Sequence, residues 1–150
     1  MTEERKRLAA ELFNQAWELI DQHGRTDADD MRMLTEACAS RALWEGVGGP
    51  AEIAVGDWQI AHVASLLGHA SMALDFANAA HETASTSGVP DWLLASTCEG
   101  VARAHAVAGH AQERDVWIAK AHEILATVAD AEDRAYITSQ LAAIPTDVPG

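Results

Sequence analysis

Residues Ala61–Thr86 read AHVASLLGHASMALDFANAAHETAST, and 41 positions further on Ala102–Thr127 read ARAHAVAGHAQERDVWIAKAHEILAT. The two stretches align without a gap. Gly68-His69-Ala70 falls on Gly109-His110-Ala111, Ala80-His81-Glu82 falls on Ala121-His122-Glu123, Ile60-Ala61 meets Val101-Ala102, and Phe76 meets Trp117. A glycine in the middle of each stretch marks a turn between two helical segments, so each unit reads as a pair of antiparallel helices with small residues where they cross.

Outward from these units, glycine and proline divide the rest of the chain at helix-length intervals, near Gly24, Gly46 to Pro50, Gly88 to Pro90 and Pro145. A first helix is expected over about Glu3–Gln22, with Leu8, Leu12, Ala16, Leu19 and Ile20 as its buried stripe. Thr26 or Asp27 can cap a second helix, whose first-turn Asp29 and Asp30 suit the backbone dipole. Pro50 and Pro90 fit the starts of helices three and five, Gly68 and Gly109 precede helices four and six, and a seventh spans about Ala131–Ala143. No segment shows the two-residue alternation of a half-buried strand. The sequence therefore predicts one all-α domain over residues 1–145 and a frayed tail over 146–150.

Composition agrees with helix. Hydrophobic residues make up 49% of the 150-residue chain, and alanine alone supplies about a fifth of it, a residue that loses no side-chain entropy in a helix. The formal charge is −13, from 23 acidic and 10 basic side chains. That balance repels phosphate, argues against nucleic-acid binding, and steers a basic protein or peptide partner by long-range attraction. The amino terminus runs straight into an amphipathic pattern without an apolar span, so no membrane partner and a cytoplasmic location are expected. Cys38 and Cys98 stand alone in predicted helices, as reduced thiols do.

The paired-helix pattern resembles the tetratricopeptide family: Ile60-Ala61 stands for the apolar-small pair of its first helix, Gly68 for the turn glycine, and Ala73 and Ala80 for the alanines of its second. In the next unit the matches are Val101-Ala102, Gly109 and Ala121, with Arg114 in place of a small residue. The resemblance covers roughly Pro50–Thr127. It implies a right-handed α-α superhelix of about three hairpins closed by a C-terminal capping helix. The period exceeds the family's of about 34, and its tyrosines and closing proline are missing, so a HEAT-like array, with a period of about 40 to 47, is the alternative.

Seven histidines invite a metal or acid-base reading. His69 with His110 and His81 with His122 are repeat-equivalent, however, and no HExxH or paired Glu-x-x-His pattern occurs, so neither metal nor cofactor is expected. Cys98 and His105 lie about two helical turns apart, too far for a nucleophile–base hydrogen bond, and a dyad would need a histidine such as His62 from another helix. No nucleophile elbow, phosphate loop or dinucleotide fingerprint is present, and catalysis is not expected.

The resemblance implies that the first helix of each hairpin lines a concave groove. Val55, Trp58, His62, Ser65 and Leu66 would face it from one unit, and Ser96, Glu99, Arg103 and Val107 from the next. Trp17, Trp44 and Trp117 accompany apolar stripes and read as core, and core also suits Trp92, although like Trp58 it stands near the start of an inner helix. The expected function is an adaptor holding a peptide or a partner's helix, with Trp58 as anchor and His62, Ser65, Glu99 and Arg103 setting polarity. The lysine- and asparagine-rich carboxylate clamp of some family members is not evident. A small-molecule carrier or helical-repeat enzyme with a pocket near Trp58, His62, Cys98 and His105 is the alternative, and pairing of solenoid ends into a homodimer is a third.

Overall fold

The computed structural model describes residues 1–146. Among the described residues seven α-helices follow one another: α1 (Thr2–Ile20), α2 (Asp27–Trp44), α3 (Pro50–Leu66), α4 (Ala70–Thr86), α5 (Asp91–Val107), α6 (Ala111–Leu125) and α7 (Ala131–Ala142). No strand occurs among the described residues. Each helix packs on the next, and α3 also meets α5, as α5 meets α7, so the odd-numbered helices share an inner layer. α1 joins that layer through Trp17, whose ring lies 5.6 Å from that of Trp58, and through Gln59, whose Nε2 donates to the Phe13 carbonyl at 3.0 Å.

The helix ends follow from local chemistry. Thr26 and Asp29 form a reciprocal capping box on α2, with Asp29 N–H donating to Thr26 Oγ1 at 3.1 Å and Thr26 N–H to Asp29 Oδ2 at 3.0 Å. Pro50 opens α3, where its missing amide is not needed, whereas Pro90 sits one residue ahead of α5 as its cap. Between α3 and α4 the chain reverses through Gly68 at φ 76°, and His69 N–H bonds back to the Ala64 carbonyl at 2.9 Å. Between α5 and α6 the same turn recurs: Gly109 has φ 80°, and His110 N–H reaches the His105 carbonyl at 2.9 Å. Only glycine adopts that backbone without strain, and the residue after it both closes the first helix and caps the second. This accounts for the recurring glycine, and the His69 and His110 side chains, which make no cap, are exposed.

Alanines set the spacing of the helices. Ala61, Ala64, Ala73, Ala77 and Ala104 pack with Val101 where α3, α4 and α5 meet, and Ser40 donates to the Ala9 carbonyl at 2.7 Å where α2 crosses α1. Arg114 occupies the position that corresponds to Ala73. Its guanidinium binds the carbonyls of Pro145 at 3.3 Å and Thr146 at 2.9 Å, anchoring the chain beyond α7. Of the expected frayed segment, Thr146 is thus held by Arg114, and residues 147–150 lie outside the described residues.

α3 and α5 are the centre of the molecule. Eleven of seventeen residues in α3 and twelve of seventeen in α5 are buried, against two in α1, so these two helices are covered on almost every face.

Candidate functional site

The residues expected to face an open groove are interior. Trp58 is 6% exposed, His62 8%, Ser65 8%, Glu99 0% and Arg103 7%. The reason is the inner layer itself: α1 and α7 close over the faces of α3 and α5 that a groove would leave free. Trp17 of α1 lies against both Trp58 and His62, with ring separations of 5.6 Å and 5.4 Å. From the other side, the α7 carbonyl of Gln140 accepts from Arg103 Nη2 at 3.0 Å. Ser96 is buried as well, whereas Val55 and Val107 are half-buried and Leu66 is 40% exposed. Among the tryptophans, Trp58 is buried and not at an open groove, Trp92 and Trp117 are half-buried and pack against the core, and Trp17 and Trp44 are half-buried.

Four of those interior residues form one connected unit. Trp58 Nε1 donates to Glu99 Oε2 at 3.3 Å, and the other carboxylate oxygen, Oε1, receives Arg103 Nε at 2.8 Å. Gly100 makes room for this: a Cβ there would lie 2.8 Å from Trp58 Cδ1, so only a glycine lets the indole rest on the α5 backbone. The His62 ring stands 5.7 Å from that of Trp58, with no hydrogen-bond partner for Nδ1, and burial, aided by the nearby Arg103 charge, lowers its pKa from 6.5 to about 3. His62 is therefore a neutral ring in the interior at physiological pH.

Cys98 and His105 belong to other surroundings. The Cys98 thiol, fully buried, points to α4, where His81 Nδ1 lies 3.8 Å away and also 3.2 Å from Thr97 Oγ1. The nearby histidine is thus His81 and not His62. Burial pushes the Cys98 pKa up to about 11, which keeps the sulfur a thiol and works against nucleophilic chemistry. His105 Nδ1 meets His110 Nδ1 at 3.1 Å across the α5–α6 turn, and burial followed by the His110 charge lowers its pKa. Among the described residues no three His, Cys, Asp or Glu side chains gather as a metal would require, and no helix is long and apolar enough to cross a membrane.

Beside the buried unit is a cavity of about 310 Å³. α1 contributes Phe13 and Trp17, α3 contributes Val55 and Trp58, α5 contributes Trp92, Leu93 and Ser96, and α7 contributes Asp133, Tyr136 and Ile137. Five of the chain's eight aromatic side chains converge here. Tyr136, 55% exposed, forms part of its lip, and its phenol pKa is raised by burial and by the Asp21 and Glu99 charges. The Asp133 carboxyl is raised too, first by desolvation and then by Asp130, Asp91 and Glu132. A neighbouring depression of about 280 Å³, beyond Phe13 and Val55, has Glu52 as its one carboxylate, and that group already accepts from the Gly49 amide at 3.1 Å.

Of the lining residues, Val55, Trp58 and Ser96 were expected at an open groove, whereas Phe13, Trp17, Trp92, Asp133 and Tyr136 were not assigned to a site. The signal was present in the same 41-residue spacing. It connects Trp17 to Trp58 to Glu99 to Gln140, Trp92 to Asp133, and Val55 to Ser96 to Ile137, and so extends from α1 to α7. No family model matches the chain, and neither does a curated protein or a solved structure.

Proposed function

We propose that this protein is a non-enzymatic binding module, a tetratricopeptide-like helical repeat whose inner helices α1, α3, α5 and α7 receive a compact ligand in the aromatic cavity. The observation that carries this is the convergence of Phe13, Trp17, Trp58, Trp92 and Tyr136 on one void of about 310 Å³. Such a volume is at the small end of the range of about 300–1,000 Å³ for ligand sites, which are mostly apolar with a few placed polar groups. Here the polar groups are Ser96, Asp133 and the Tyr136 hydroxyl.

Supporting the repeat part of the reading are the two turns built alike at Gly68 and Gly109 and the shared inner layer. A long peptide in a groove over Trp58, His62, Ser65, Glu99 and Arg103 is disfavoured because α1 and α7 already cover them. The carrier reading survives, moved from Cys98 and His105 to Trp17, Trp92 and Tyr136. The burial and raised pKa of Cys98 favour binding over catalysis.

A thermal-shift panel of small soluble ammonium, carboxylate and neutral compounds tests this. At least one class should raise the melting temperature of the protein, and the rise should vanish in Val55→Trp, which fills the cavity from α3. No rise with any class, or an equal rise in the filled variant, would contradict the cavity as the binding site.

A further inference from the structure

Resting on the cavity reading, we infer that the ligand is a small organic ammonium ion, its cationic head enclosed by the aromatic rings and its charge met by Asp133. An aromatic face carries negative electrostatic potential, so a cation within about 6 Å of several such rings is attracted to each of them. Trp58 lines the cavity with its indole N–H already committed to Glu99, so that donor is not free for a ligand. Trp17 is tilted 42° to it, and Tyr136 closes the lip from α7.

The protein supplies no cation of its own to this place. None of the ion pairs among the described residues involves Asp133. Arg134, next to it, is turned away, its Nη1 donating to the Val128 and Ala129 carbonyls at 2.6 and 2.8 Å. Arg103 is consumed by Glu99 and the Gln140 carbonyl. By contrast the outer Trp117 already has Lys120 Nζ 4.4 Å from its ring centre. The charges that act on Asp133 and Tyr136 are acidic: Asp91, Asp130 and Glu132 on the first, Asp21 and Glu99 on the second. A carboxylate ligand would be repelled by Asp133 and its acidic neighbours Asp91, Asp130 and Glu132, whereas Glu99 is balanced by Arg103. A neutral ligand would desolvate Asp133 without compensating its charge, and a phosphate would meet no guanidinium.

The shared chemistry of a free ammonium compound and a methylated lysine side chain is separated by titrating three probes, each followed by calorimetry. The probes are choline, its neutral carbon isostere 3,3-dimethylbutan-1-ol, and a short peptide carrying trimethyl-lysine. Choline should bind about tenfold more tightly than the neutral isostere, the difference expected of a desolvated cation among aromatic faces. Asp133→Asn and Tyr136→Leu, with urea midpoints confirming that each variant is folded, should weaken choline several-fold more than they weaken the neutral compound, and an equal loss for both ligands would overturn the ammonium inference. Equal binding of choline and the isostere would overturn the ammonium inference and leave the cavity reading standing. Binding of neither would overturn the ammonium inference, and the cavity reading falls with it only where the carboxylate class of the thermal-shift panel gives no rise either. Tighter binding of the peptide than of choline would overturn the free-ion source in favour of a protein-borne ammonium.

Discussion

Trp58 and Glu99, 41 residues apart in the chain, are hydrogen-bonded partners: the indole N–H donates to the carboxylate at 3.3 Å across the α3–α5 contact. Equivalent positions of successive inner helices therefore touch, and a residue that a free-standing hairpin would expose is covered by its counterpart. That relationship explains why the anticipated groove residues are interior, and it fixes what substitutions there should do.

Gly100→Ala should destabilise the protein. The added Cβ would meet Trp58 Cδ1 at 2.8 Å, and a ring wedged between helices cannot yield cheaply. Overpacking of this kind costs about 1–3 kcal/mol, of which alanine's better helix propensity returns about 1 kcal/mol. Gly88→Ala, with open space around it, is the control and should leave the urea midpoint nearly unchanged.

Glu99→Leu should cost about 3–5 kcal/mol, because it strands the buried Arg103 guanidinium without its carboxylate. Adding Arg103→Met should recover most of that loss, since the pair is more expensive to break than to replace. Chemical denaturation of the two singles and the double measures the coupling.

Stability should fall with acid in a way that depends on His62. Its folded pKa of about 3 is below the unfolded value near 6.5, so the unfolded chain takes up the proton first. The contribution is fully present above pH 6.5 and is lost by about 1.4 kcal/mol per pH unit as the pH falls from there toward 3. Melting curves from pH 7.5 to 4.5 should be flatter in His62→Leu than in the parent, and parallel curves would refute the assignment.

Ala80→Leu and Ala121→Leu should each destabilise by about 1–3 kcal/mol, because both side chains are 0% exposed at a helix contact. Ala79→Leu, one residue along and exposed, should change little. Equal urea midpoints for all three would contradict the helix register.

The helices and their turns were readable because each is decided locally. Thr26 with Asp29 makes a cap, Gly68 and Gly109 permit a left-handed turn, and Pro50 begins a helix, whatever the rest of the chain does. The cavity was not readable in the same way. Trp17 has the spacing of an ordinary apolar stripe, and Asp133 that of a first-turn helix residue, and nothing within either helix says that both line one cavity. Burial of Trp58 likewise depends on α1 and α7 closing from opposite ends, which neither hydrophobic periodicity nor a likeness of the middle hairpins encodes.

The five indole N–H signals offer the most direct test of the cavity. In a nitrogen-15 correlation spectrum titrated with choline, the indoles of Trp17, Trp58 and Trp92 should shift together and saturate at one apparent affinity, since all three line the void. Those of Trp44, in the neighbouring depression, and of Trp117, under Lys120, should stay in place. Saturable shifts confined to Trp44 or Trp117 would contradict the claim that this protein binds its ligand among Trp17, Trp58 and Trp92, and no saturable shift at any indole would contradict the claim that the ligand is an ammonium ion.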